Sequence, residues 1–193
     1  MIKLTLPPGI ANLISNVGNP FLLFPVIVSY LTVSEVGFEA AEPLIVTLAG
    51  IFALLSLFLL VRKLRGEITN LDVSDRKQRA VNVYLPSIGM VLLAALYFKW
   101  SNQPYLGPTL YVGLLLATCF GINSLKKISL HTVVATYLSA LLLPKLLWLG
   151  LVFFSFSILI AWSRVVLGRH TKSEVILGWF VGTAFGLLHV VLF

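Results

Sequence analysis

Apolar stretches long enough to cross a bilayer follow one another along this chain, parted only by short polar gaps. That alternation restricts the fold more than any motif does. A spanning helix takes about 20 mostly apolar residues and satisfies every backbone N–H and C=O within itself. Runs of this kind are read at about Asn19–Val33, Pro43–Val61, Val81–Phe98, Pro108–Ile122, Ser129–Pro144, Leu146–Trp162 and Val175–Phe193. Composition agrees: 59% of residues are hydrophobic, 11% are charged, and the mean hydropathy is +0.99. Soluble domains are near half apolar and about one quarter charged. The expectation is an all-α, polytopic membrane helix bundle of six to seven transmembrane helices, multi-pass in the cell membrane. It forms one membrane-embedded domain over residues 1–193, with 1–17 as an interfacial segment and a motif-bearing core at about 62–193.

A formal net charge of +7 would suit nucleic acid if it were concentrated on a basic helix or tail. Here the cations sit in the gaps between apolar runs, where they mark topology or attract an anionic headgroup or substrate. No nucleic-acid partner is expected; the partners are the bilayer and a membrane lipid. The single cysteine, Cys119, falls inside an apolar run, which leaves no disulfide framework and no cysteine metal site.

Successive loops alternate between the two faces of the membrane. If the amino end lies on face A, the loops 62–80, 123–129 and 163–174 share that face. Twelve of the fourteen Lys and Arg residues then fall on A, leaving Lys99 and Lys145 on B with Glu35, Glu39 and Glu42. Three polar clusters result on face A. The first is Asp75-Arg76-Lys77-Gln78-Arg79; the second is Lys127-Ile128-Ser129-Leu130-His131-Thr132. The third is Ser163-Arg164, five residues, His170, three residues, Glu174. Helix N-termini and arginines suit phosphate oxygens. Of two imidazoles, one can attack phosphorus while the other protonates the leaving oxygen, and a carboxylate can orient the attacking ring.

The third cluster resembles the third signature of the type 2 phosphatidic acid phosphatases, relatives of the vanadium haloperoxidases, which reads SR, five residues, H, three residues, D. Ser129-Leu130-His131 stands where that family has its PSGH segment, and Asp75–Arg79 stands at the place of its first signature. The resemblance spans about residues 75–178. It implies a helical bundle in which His170 is the nucleophile, Glu174 orients it and His131 is the general acid. Arg164, Ser163, Ser129, Lys127, Arg76, Lys77 and Arg79 would bind the phosphoryl group, with Arg79 the preferred ligand of the first cluster. No metal and no cofactor would be needed. The implied activity is hydrolysis of a lipid phosphate or isoprenyl (di)phosphate through a phosphohistidine. This chain departs from the family pattern in having Glu174 for Asp, Leu130 for Gly, Ile128 for Pro, and a first cluster out of register.

Other readings stand beside these. Thr171-Lys172-Ser173-Glu174 is a capping-box pattern, so Glu174 can cap a helix as well as orient a histidine. Arg76, Lys77 and Arg79 can be topology signals alone. Gly178, Gly182 and Gly186 form a small-residue row suited to close helix packing, and His189, toward face B, reads as structural. A non-catalytic relative acting as lipid-phosphate binder, scramblase or scaffold is a second functional class, and a phosphoryltransferase using an alcohol acceptor is a third. Charge counting puts face A in the cytoplasm, whereas many bacterial proteins that this chain resembles work on the opposite side.

Overall fold

The computed structural model describes residues 8–193, so the first seven residues of the expected interfacial segment lie outside it. The described residues form helices and connecting turns with no strand: α1 (Pro8–Val17), α2 (Pro20–Val36), α3 (Phe38–Leu64), α4 (Arg76–Arg79), a π-helical turn (Ala80–Tyr84), α5 (Leu85–Trp100), α6 (Leu106–Leu125), α7 (Leu130–Leu142), α8 (Leu147–Val166) and α9 (Lys172–Leu192). Five segments are long and apolar enough to cross a membrane: α3, the continuous run Arg76–Trp100, α6, α8 and α9. α1 and α2, bent by 41° at their junction, make a sixth if counted as one span. These are the helices of a multi-pass membrane protein. The remaining expected span, at Ser129–Pro144, is the 13-residue α7, only about 20 Å long at 1.5 Å per residue.

Several helices run past the apolar windows that announce them. α3 begins five residues before Pro43 and ends at Leu64, after Arg62 and Lys63. The basic cluster at 76–79 is likewise the first turn of a continuous helical run rather than a loop. Polar residues at an interface interrupt hydropathy without interrupting the backbone hydrogen bonds. Within that run, Pro86 lacks an N–H and its ring crowds the carbonyl four residues back, Asn82. The π turn over Ala80–Tyr84 widens the helix just there.

The chain divides into two compact units, one of residues 8–27 and 128–192, the other of 28–127 with Phe193. In the second unit, Phe98 and Tyr105 meet edge-on at 5.5 Å over Ala94, with Leu44, Ile51 and Leu106 around them. The Tyr105 hydroxyl donates to the Ala40 carbonyl at 2.7 Å, tying the α5–α6 turn to α3.

In the first unit, α7 is the core. Nearly all its residues from His131 to Leu142 are buried, because α8 and α9 pack along it. The glycine row makes that contact possible. A Cβ on Gly178 would overlap Thr132 Oγ1 and lie 2.7 Å from the Ser129 carbonyl oxygen. One on Gly182 would overlap Thr136 Oγ1 and the Val133 carbonyl, and one on Gly186 would lie 2.6 Å from Ala140 Cβ. The pairs 178–132, 182–136 and 186–140 define a parallel register, so α7 and α9 begin at the same end of the unit. α9 starts about one turn further out than α7. Toward the other end the Tyr137 hydroxyl meets His189 Nδ1 at 2.9 Å, a packing role for His189. α8 runs antiparallel to both: Gly150 is pressed on Leu143, and Trp179 Nε1 donates to Ser157 Oγ at 3.1 Å.

Candidate functional site

The end of the first unit where α7 and α9 begin and α8 finishes carries the third cluster and the second from Ile128 onward. Their spacing follows from how α8 stops. After the last helical residues comes Gly168 with φ +63, a left-handed conformation that glycine adopts without a Cβ penalty. The Gly168 N–H donates to the Val165 carbonyl at 3.0 Å and the Arg169 N–H to the Arg164 carbonyl at 3.0 Å. This is the Schellman closure. It folds the chain back so that the His170 N–H also reaches the Arg164 carbonyl, at 3.1 Å. Five residues between Arg164 and His170 are what a last helical turn and this closure require.

Thr171 then caps α9. Its backbone N–H donates to Glu174 Oε2 at 3.2 Å, and the Glu174 N–H donates to Thr171 Oγ1 at 3.4 Å. That reciprocal pair is the capping box. The same Oε2 lies 2.9 Å from His170 Nδ1. A carboxylate can only accept there, so Nδ1 carries the hydrogen, and in the neutral ring the lone pair then belongs to Nε2. One oxygen therefore makes both the histidine contact and the capping contact. The His170 ring is almost wholly enclosed, its side chain 1% exposed, which fixes its orientation.

Ser129 precedes α7 and is fully buried. Its N–H donates to the Glu174 carbonyl at 3.4 Å, which joins the second cluster to the third. At a helix start a serine hydroxyl ordinarily accepts from the first turn. Here Oγ makes no such bond and has no protein partner. A buried hydroxyl without a partner costs free energy unless something else supplies one. His131, in the first turn of α7, is buried.

Arg164 is 2% exposed, and its Nη1 donates to Ser15 Oγ on α1 at 2.7 Å. The neighbouring Ser163 hydroxyl donates to the Ile160 carbonyl at 2.7 Å, so its proton is turned back into α8. The histidine, carboxylate, serine and arginine thus belong to one unit, and two hydrogen bonds fix the positions of His170 and Arg164.

The first cluster belongs to the other unit. Asp75 caps α4, its carboxylate accepting from the Gln78 N–H at 2.8 Å. Arg76 and Arg79, three apart on one helix, occupy different surroundings. Arg76 is exposed and Nη1 donates to the Leu125 carbonyl at 2.9 Å, whereas Arg79 is buried and Nε donates to the Val73 carbonyl at 3.0 Å. Lys77 is exposed and Lys127, which closes this unit, is half-buried.

Comparison with known proteins finds no matching family model, no matching curated protein and no matching solved structure. The case for function therefore rests on the geometry and on the motif spacing.

Two groups of polar residues escaped the reading of the sequence. Ser15 is one; its signal was the small-residue spacing Ala11, Ser15, Gly18 in a segment too short to span. Asn82 and Asn123, both buried, are the other. Their side-chain nitrogens donate to the Gln78 and Arg76 carbonyls at 2.8 and 3.2 Å, and so brace the backbone of α4. For Asn82 the available signal was a polar residue inside an apolar run.

Proposed function

We propose that this protein is a membrane-embedded phosphatase that hydrolyses a lipid phosphate or isoprenyl (di)phosphate, resembling the type 2 phosphatidic acid phosphatases. The observation that carries the reading is the His170–Glu174 contact at 2.9 Å beside the Schellman turn that holds Arg164. In this scheme the bundle has six to seven spans.

The reaction follows from the residues. His170 Nε2 donates its electron pair to phosphorus, forming a P–N bond as the ester or anhydride P–O bond breaks. His131 gives a proton to the departing oxygen. Glu174 stabilises the imidazolium that develops on His170, holding Nδ1–H. Arg164 and Ser129, in the same unit as the histidines, carry the phosphoryl oxygens, whose negative charge the guanidinium offsets in a water-poor site. Water then attacks the phosphohistidine, giving its proton to His131, and phosphate leaves with His170 restored. A substrate whose tail remains in the bilayer suits a site with little structure outside the membrane.

The test is phosphate release from phosphatidic acid or an isoprenyl diphosphate in vesicles by the purified protein, with chelator present. Wild type is expected to release phosphate and His170→Ala to be reduced to background. Equal release by both would sink the proposal. Tight binding of the lipid with no turnover, unchanged in His170→Ala, would instead support a lipid-phosphate binder, scramblase or scaffold. Transfer to an added alcohol would indicate a phosphoryltransferase.

A further inference from the structure

α1 has a packing pattern of its own. Ala11, Ser15 and Gly18 are buried, whereas Ile10, Leu13 and Val17 are exposed. The buried stripe lies against α8. A Cβ on Gly18 would stand 2.6 Å from Ile160 Cγ1, so only glycine allows this approach without displacing Ile160. One turn away, Ser15 meets Arg164. Gly18 beside Ile160 and Ser15 beside Arg164 make the two helices antiparallel. α1 therefore descends along α8 from the end where the histidine site lies.

The contact at 2.7 Å is short for a neutral acceptor, and both partners are buried, Ser15 at 4% exposure. An arginine side chain has several rotatable bonds, and a phosphoryl group needs its planar fork at a defined angle. A hydroxyl accepts from one N–H and so fixes that angle. Being uncharged, it does not cancel the positive charge that an anion would use, as a carboxylate would. We propose that Ser15 is a positioning residue for Arg164, and that α1 is thereby an integral part of the phosphoryl-binding site. Oxyanion affinity then depends on a helix more than one hundred residues away in sequence. For turnover the inference rests on the phosphatase reading; for oxyanion binding it does not.

The experiment uses the purified full chain and orthovanadate, an oxyanion with phosphate geometry. It measures the vanadate Kd, the thermal midpoint, and kcat and KM for phosphate release from phosphatidic acid vesicles. Ser15→Ala is expected to raise the vanadate Kd by roughly tenfold, the size of a lost hydrogen bond to a charged group. Ser15→Cys keeps the volume but is a weak acceptor, and gives the same loss without a change in packing. Ser15→Thr retains the hydroxyl and restores the Kd to within about threefold. Leu13→Ala, on the exposed face of α1, leaves it unchanged. A Ser15→Ala Kd equal to wild type overturns the proposal, even if the midpoint falls, because the contact then serves packing alone. Equal weakening in Ser15→Ala and Ser15→Thr also overturns it. If wild type binds vanadate but releases no phosphate, the phosphatase reading fails while the Kd series still decides the role of Ser15. If wild type binds no vanadate, both fall.

Discussion

Glu174 carries two interactions on one oxygen, with the Thr171 N–H at 3.2 Å and with His170 Nδ1 at 2.9 Å, and substitutions can separate them. Glutamine at this position of a capping box still accepts from the cap residue's N–H, but it has no charge with which to stabilise an imidazolium. Glu174→Gln is therefore expected to leave the thermal midpoint nearly unchanged while kcat falls by roughly 10² or more. Glu174→Ala loses both roles, adding a capping loss of about 0.5–2 kcal/mol visible in thermal denaturation. Unaltered kcat in Glu174→Gln would leave capping as its whole function. Both contacts were legible beforehand, because Thr171-x-x-Glu174 and His170-x3-Glu174 overlap in the sequence. Ser15 was not, since nothing in the sequence pairs a serine in the first helix with an arginine in the eighth.

At the scale of helices, α7 and α9 owe their contact to three glycines spaced four apart. Gly182 has the tightest surroundings, with Thr136 Oγ1 and the Val133 carbonyl where a Cβ would go. Gly182→Ala should destabilise by about 1–3 kcal/mol, as overpacking does, read as a lower thermal midpoint in detergent. Phe180→Ala, on the exposed face of the same helix, should change it little. The α8–α9 turn gives a second prediction. Gly168 at φ +63 would cost about 1–2 kcal/mol as alanine. Phosphate release should fall more in Gly168→Ala than in Gly168→Asn, since asparagine tolerates this conformation and leaves the turn between Arg164 and His170 intact. The glycine row was readable as a packing face, but its partner was not. A small-residue stripe says that something approaches closely and does not say what.

Across the whole chain, the alternation of faces makes its own prediction. The loop before Arg76 and the turn after Trp100 flank one continuous span, Arg76–Trp100. With Cys119 replaced by serine, a cysteine at Thr69 and a cysteine at Asn102 should be labelled by an impermeant thiol reagent from opposite sides of the membrane. Labelling of both from the same side would mean that the segment turns back within the bilayer. The side that reaches Thr69 also assigns face A to cytoplasm or exterior. Hydropathy located each long helix, although the helices extend past their apolar windows, as α3 does at both ends. It read a span at Ser129–Pro144, where the structure has the 13-residue α7, nearly all of it buried.

The sequence by itself determined that the chain is helical and dissolves in lipid, because apolar runs of this length leave the backbone no other way to satisfy its hydrogen bonds. It also determined the spacing of the third cluster, since Gly168, Thr171 and Glu174 act on neighbours within a few residues. Tertiary structure alone decided that α9 lies parallel to α7 with the Ser129 N–H on the Glu174 carbonyl, and that α1 brings Ser15 to Arg164. Those contacts join residues distant in the chain, and they are set by how closely whole helices can approach, which no local pattern encodes.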